Sequence, residues 1–313
     1  MDVLLYVGIL VISLSALLKA SSWFVDSAEK IGLSFGISPF IIGVTIIAFG
    51  TSLPELASSI AAMYEDESSI VIGNVLGSNI TNITLILGVV AVVGGTIHFT
   101  KDVMNIDMPL LLTSAGLLCF VVYDKNVSIF DAALLLVALV IFLAYSFKSD
   151  DEEKLESTEK ASIKSYLLLL VAGVGVYFGA EYTILAVTSL SKIAGVDPEI
   201  IALSVVALGT SLPELIVSVT AARKGRTEIA VGNVLGSNIF NTYAVMGIPA
   251  FFGELEITDN ALGFSLPFMT VITVIFAFMC LSKKISRWEG MMLLLLYVFF
   301  IGQLMKDVIV QSP

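Results

Sequence analysis

Ile70-Val71-Ile72-Gly73-Asn74-Val75-Leu76-Gly77-Ser78-Asn79-Ile80-Thr81-Asn82 recurs almost unchanged as Ile229 to Asn241. A second block, Gly50-Thr51-Ser52-Leu53-Pro54-Glu55-Leu56, recurs as Gly209 to Leu215. Both copies are separated by the same 159 residues. The chain is therefore built from two homologous halves. Each half carries one Glu with several hydroxyls and amides inside very apolar sequence. A long internal repeat decides the architecture before any local reading. Polar residues at matching places in two apolar halves are the pattern of a membrane transporter with its site at the repeat interface.

Composition agrees. Of 313 residues, 57% are hydrophobic and only 14% are charged, where a soluble domain is nearer a quarter charged. Mean hydropathy is +0.98. No Asp, Glu, Lys or Arg occurs in 31–54, 68–100, 229–253 or 260–282, and about 20 apolar helical residues cross a bilayer core. Solid runs of this kind exclude a porin-like barrel, which would alternate. The net charge of −11 excludes nucleic acid as a partner on electrostatic grounds. Cys119 and Cys280 lie in apolar segments and read as small core residues rather than a disulfide. A single His98 leaves no material for an imidazole metal site. Met1-Asp2 followed by apolar sequence lacks a signal peptide's basic start, so the first apolar run is expected to be a retained helix.

Ten transmembrane helices fit, near 3–25, 38–64, 69–95, 107–123, 128–148, 164–190, 198–223, 228–250, 260–282 and 286–306. The expected fold is an all-α integral membrane protein. It has a first five-helix repeat at 1–148, a cytoplasmic linker at 149–163 and a second five-helix repeat at 164–313. Five is odd, so the second repeat enters the bilayer from the opposite side. Positive charge provides a separate check. With the N-terminus outside, 13 of the 16 basic residues fall on the inner side and only Lys125, Lys192 and Lys306 fall outside, as the positive-inside rule asks. The linker, rich in Asp, Glu, Lys and Ser, reads as a solvated connection rather than a calcium-sensing strip.

Pro54 has no N–H, and its ring clashes with the carbonyl of Gly50, so the helix must break or restart there. A break within the membrane frees carbonyls, which is tolerated only beside protein or a wet cavity. Freed carbonyls are good ligands for hard cations, and Thr51, Ser52 and Glu55 add oxygens within one turn. Thr210, Ser211 and Glu214 repeat the arrangement around Pro213. Ser52-Leu-Pro-Glu55 and Ser211-Leu-Pro-Glu214 also match a capping box, and both readings are expected to hold. A carboxylate inside the membrane marks function by default. In the longer block Asn74, Ser78 and Asn82 share one helix face, as do Asn233, Ser237 and Asn241. Ser78, Asn82, Ser237 and Asn241 are expected as ligands. Asn74 and Asn233 are expected to pack or to support the ligands. Gly73-x-x-x-Gly77 and Gly232-x-x-x-Gly236 are small-residue packing motifs, expected to bring helices 2 and 3 of each half together. Carboxylates, carboxamides, hydroxyls and carbonyls without thiol or imidazole select Ca²⁺, Na⁺ or Mg²⁺. Two carboxylates balance one Ca²⁺, and a flexible oxygen set suits Ca²⁺ better than Mg²⁺. The same oxygens could hold several Na⁺, and competition for them gives exchange without a covalent step.

These paired motifs, Gly-Thr-Ser-Leu-Pro-Glu and Gly-Ser-Asn-Ile, resemble those of the sodium/calcium exchanger family within the cation/calcium antiporter superfamily. The likeness runs over nearly the whole chain. It implies exchange of three Na⁺ for one Ca²⁺ across the cell membrane, with no enzymatic step and no organic cofactor. It also implies that helices 1 and 6 slide across a rigid core. Carried onto this chain, the side-chain ligands are Thr51, Ser52, Glu55, Ser78 and Asn82, with Thr210, Ser211, Glu214, Ser237 and Asn241. Backbone carbonyls of Ala48, Thr51, Ala207 and Thr210 complete the set. Asn241 stands where potassium-dependent relatives carry Asp, so the likeness is to potassium-independent, prokaryotic-type members. No obligatory protein partner is implied, and the lipid bilayer is the surrounding medium. H⁺ is the expected competitor, and H⁺/Ca²⁺ antiport is the nearest alternative. An intramembrane hydrolase using Ser52 or Ser211 lacks a base within the membrane. Symmetric carboxylates fit alternating access better than a channel. Glu181, opposite Ser22 in the repeat, reads as an interfacial, solvated side chain.

Overall fold

A chain in hydrocarbon must satisfy its own backbone groups, and the apolar runs do so as helices. The computed structural model describes residues 2–98, 103–151, 160–195, 209–259 and 261–311. In the first half α1 spans Asp2–Ser34. The second apolar run is interrupted: α2 (Pro39–Ile42), a π-helical turn (Gly43–Ile47), α3 (Ala48–Thr51) and α4 (Leu53–Tyr64). The third comprises α5 (Ser69–Thr81), a π-helical turn (Asn82–Ile86) and α6 (Leu87–Gly94). Then follow β1 (Ile97–His98), α7 (Val103–Val121), β2 (Asn126–Val127) and α8 (Ile129–Asp151). The described part of the second half comprises α9 (Ile163–Ile193), α10 (Leu212–Arg223), α11 (Thr227–Phe240), a π-helical turn (Asn241–Val245), β3 (Leu255–Glu256), α12 (Leu266–Cys280), β4 (Lys284–Ile285) and α13 (Arg287–Gln311). Among the described residues, seven helices are long and apolar enough to cross a membrane.

Several helices run past their expected limits. The first helix does not stop near residue 25 but continues to Ser34. Its charged end is stabilised by ion pairs: Asp26 meets Lys224 at 2.8 Å and Arg226 at 2.5 Å, and Glu29 meets Arg226 at 2.7 Å. Apolar length alone could not signal this extension. The sixth run, α9, likewise reaches 163–193. Residues 196–208, expected to begin the seventh helix, and 152–159 of the expected linker lie outside the described residues.

Helices α1 and α9 pack antiparallel. Thr183 Oγ1 donates to Ser13 Oγ at 2.9 Å, while Gly179 lies against the backbone of Leu17 and Gly175 against Ala20. A Cβ on Gly179 would sit 2.9 Å from Leu17 Cα, so glycine sets the closeness of this pair. The core lies behind it, on α5 and α11, whose Val75, Leu76, Val231 and Leu235 are buried. Outward-facing Leu4, Ile12, Leu167, Leu170, Leu295 and Val298 are exposed, as a hydrocarbon-facing surface requires.

The glycine motif of the second half packs differently from expectation. A Cβ on Gly232 would collide with the carbonyl of Phe40, and one on Gly236 with that of Val44. The close approach is thus between α11 and the interrupted helix of the other half, not between neighbours within one half. Cβ atoms on Gly73 and Gly77 meet nothing within 4 Å among the described residues. Two small ribbons tie the halves together. Ile97 pairs with Ile285, and Val127 pairs with Leu255, both antiparallel. They lie at opposite ends of the helices. The end carrying β1, β4 and the chain between α8 and α9 is the linker face. The end carrying β2 and β3 is the opposite face.

Candidate cation site

The break falls where proline demands it. Ser52 adopts φ −89°, ψ 6°, and Ser211 adopts φ −84°, ψ 5°, each directly before a helix whose second residue is proline. These angles are not the extended ones of a capping residue. The capping-box hydroxyl bond is accordingly absent at both serines, which corrects half of the expected reading. Ser52 Oγ donates instead to Glu214 Oε1 at 3.1 Å, across the repeat interface.

The same crossing recurs in the neighbouring hydroxyls. Thr51 Oγ1 donates to Asn233 Oδ1 at 3.2 Å, and Thr210 Oγ1 donates to Asn74 Oδ1 at 3.3 Å. Each amide then holds its own half: Asn233 Nδ2 donates to Ser218 Oγ at 2.9 Å, and Asn74 Nδ2 to Ser59 Oγ at 2.9 Å. Asn74 also donates to the Glu55 carbonyl at 3.1 Å. Both asparagines are therefore supports whose donors and acceptors are occupied. Ser78 Oγ donates to Asn74 Oδ1 at 3.4 Å and lies 3.4 Å from Thr210 Oγ1.

Glu55, Glu214, Ser52, Thr51, Ser78, Asn82, Ser211, Ser237 and Asn241 are all buried, and Thr210 is half-buried. Ala48 is buried, and its carbonyl accepts Ser52 N at 3.0 Å and lies 3.4 Å from Thr51 Oγ1. Ala207 lies outside the described residues. Asn82 and Asn241 each open a π-helical turn, a widening of the helix that recurs at functional sites. Buried oxygens that accept no hydrogen bond collect here: both carboxylate oxygens of Glu55, Oε2 of Glu214, Oδ1 of Asn82 and Asn241, and the hydroxyl of Ser237. Buried polar atoms are ordinarily paired. A carboxylate buried without a donor is costly unless a cation neutralises it. The donor set is oxygen alone and so fits Ca²⁺ or Na⁺.

One feature was not drawn from the sequence. Asn79 and Asn238 bind across the interface: Asn82 Nδ2 donates to Asn238 Oδ1 at 3.0 Å, and Asn79 Nδ2 to Thr242 Oγ1 at 3.1 Å. Their place in both copies of the long block was the available signal.

Among the described residues, the site is reached unequally from the two ends. A cavity of about 730 Å³ enters from the opposite face, between α4, α5 and α9, and ends on Asn74, Gly209 and Thr210. Ile70, on its wall, is 50% exposed, while its repeat counterpart Ile229 is fully buried. Asn74 is half-buried, but Asn233 is fully buried. At the linker end α1 lies over α10, with Val25 and Val217 buried and Lys224 Nζ donating to the Ser22 carbonyl at 3.0 Å.

Comparison with known proteins matches this geometry. The family model described as sodium/calcium exchanger protein matches residues 5–148 and 164–305, the two halves on either side of the central segment. The sodium/calcium exchanger MaX1 of Methanosarcina acetivorans is 35% identical, over 94% of this chain and 96% of its own. An uncharacterized membrane protein of Methanocaldococcus jannaschii is 34% identical over 96% and 98%. Structures of the sodium-calcium exchanger NCX_Mj superpose with a TM-score of 0.84 at 32% identity, covering 96% of this chain and 98% of theirs, in crystals soaked with Na⁺ and Sr²⁺. With buried oxygens from both repeated blocks meeting at one site, the chain belongs to the sodium/calcium exchanger family.

Proposed function

We propose that the protein is a secondary antiporter that exchanges Na⁺ for Ca²⁺ across the cell membrane. The observation that carries this is the pair of buried carboxylates, Glu55 and Glu214, whose free oxygens face one interface between the halves. Thr51, Ser52, Ser78 and Asn82 from one half, and Thr210, Ser211, Ser237 and Asn241 from the other, are the further ligands. The carbonyls of Ala48, Thr51, Ala207 and Thr210 complete the shell. Three Na⁺ leave one positive charge on the two carboxylates and one Ca²⁺ leaves none, so exchange is electrogenic. Ten spans in two inverted halves, 1–148 and 164–313, frame the site. The N-terminus is outside and the linker 149–163 cytoplasmic, which makes the cavity extracellular. The antiparallel packing of α1 against α9 supports the inversion, and the charge bias supports the orientation.

Calcium uptake into proteoliposomes loaded with Na⁺ tests the proposal. Uptake should follow the sodium gradient and respond to voltage. Uptake that ignores both would overturn it, and uptake driven by a pH gradient without sodium would favour H⁺/Ca²⁺ antiport instead.

A further inference from the structure

Glu181 is the only charged residue of α9 between Lys164 and Lys192. It stands twelve residues before the helix end at Ile193, about 18 Å along the axis at 1.5 Å per residue. A carboxylate at that depth needs water or a partner. Among the described residues it has no basic partner. Its side chain is exposed because it lines the cavity that ends on Asn74 and Thr210. Among the described residues, the others that line the cavity carry no charge, and Ala57, Ile70 and Ile184 make much of the wall apolar. A carboxylate between low-dielectric walls focuses its field along the opening.

The linker end offers a contrast. The repeat counterpart of Glu181 is Ser22, whose carbonyl accepts the Lys224 ammonium. The place that holds a negative charge at the open end is thus covered by a positive one at the closed end. A solvated, idle glutamate would have no reason to be confined to the wall of the entry path.

We infer that Glu181 is an entry ligand: it captures a hydrated cation, Ca²⁺ ahead of Na⁺, and passes it to the Thr210 edge of the central site. This rests on the exchange reading above. Divalent preference follows from charge alone, since one carboxylate attracts Ca²⁺ twice as strongly as Na⁺ at equal distance. The ion keeps most of its water at this stage, because one side chain cannot replace a shell of 6–8 oxygens.

The test uses the full-length protein in vesicles sorted by orientation. Na⁺-driven Ca²⁺ flux is measured with Ca²⁺ varied at the cavity face and, separately, at the linker face. Glu181→Gln should raise the cavity-face KM for Ca²⁺ about 3- to 10-fold at low ionic strength. The effect should shrink as inert salt shortens the Debye length. The linker-face KM and the maximal rate should stay at wild-type values, and Glu181→Asp should restore most of the loss. An equal change at both faces, or a change indifferent to salt, would mean a structural role and overturn the inference. Wild-type behaviour of Glu181→Gln would overturn it too while leaving exchange intact. A wild type without Na⁺-driven flux would remove the exchange reading and this inference together.

Discussion

Ile70 and Ile229 begin the same repeated block, yet one is half exposed and the other wholly buried. Pro54 and Pro213 differ in the same sense, as do Gly73 and Gly232. The local sequence cannot cause this, because it is the same in both halves. The second-half block is covered by Phe40, Gly43 and Val44 of the other half, while their counterparts near 199–203 lie outside the described residues. α1 closes over α10 at the linker end, and α9 stands away from α4 at the other. Among the described residues, one sequence therefore has an open surround in one copy and a covered surround in the other. Exchanging those surrounds would be the other state of an alternating-access cycle, a population shift between two packings of one core.

The largest effect should come from the part that the two ends share. Glu55→Gln and Glu214→Gln should each reduce Na⁺-driven Ca²⁺ flux more than about 100-fold, since each removes a charge and a ligand at once. Flux near wild type in either variant would show that the end-to-end difference reaches into the ligand shell. Next comes the close packing of the second-half block. Gly236→Ala puts a methyl group into the Val44 carbonyl and should cost about 1–3 kcal/mol, read as a lower midpoint in thermal unfolding in detergent. An unchanged midpoint would show that this approach has slack.

The ion pairs at the linker end are the next device to break. Asp26→Asn releases Lys224 and Arg226 from a partly exposed cluster at a cost of about 1 kcal/mol, roughly a fivefold change in the closed-to-open ratio. With Cys119 and Cys280 replaced, a cysteine at Val217 should then be labelled faster from the linker face, and one at Ser58 more slowly from the cavity face. Labelling rates that do not move would mean that apolar packing alone holds this end shut. The smallest effect should come from Lys125. It holds the exposed Asp259 carboxyl below its ordinary range through a hydrogen bond and ion pair at 2.5 Å. A depressed carboxylate adds stability above its unfolded value and loses it as pH falls through the folded one. Solvent screens this pair, so Lys125→Ala should leave the thermal midpoint at pH 7 unmoved, and a clear drop would give the opposite face a clasp of its own.

Much of this was legible in the chain. The repeat offset, the charge-free runs and the two Gly-Thr-Ser-Leu-Pro-Glu blocks located the interruption at Ser52 and the buried glutamates, because proline and intramembrane carboxylates act locally. The use of Ser52 was not legible. A Ser-x-x-Glu spacing describes a helix start, and only the approach of the second half shows the hydroxyl turned to Glu214. The partner of Gly232 and Gly236 was hidden for the same reason: a small-residue stripe says that something comes close but not what. The extension of α1 to Ser34 depended on Lys224 and Arg226, about 200 residues away, which no periodicity reports.

The two ribbons have a consequence for how such a chain is made. β1 at Ile97–His98 finds its partner only at Lys284–Ile285, nearly 200 residues later. At about 5–20 residues per second of synthesis, that wait lasts roughly ten to forty seconds. Through that interval the first five helices sit in the bilayer with an unpaired strand and a buried glutamate lacking its counterpart across the interface. The newborn half must be tolerated by the membrane before it is completed, so slow or paused synthesis of the second half should expose it to quality-control proteolysis more than any change in the finished protein's stability would suggest.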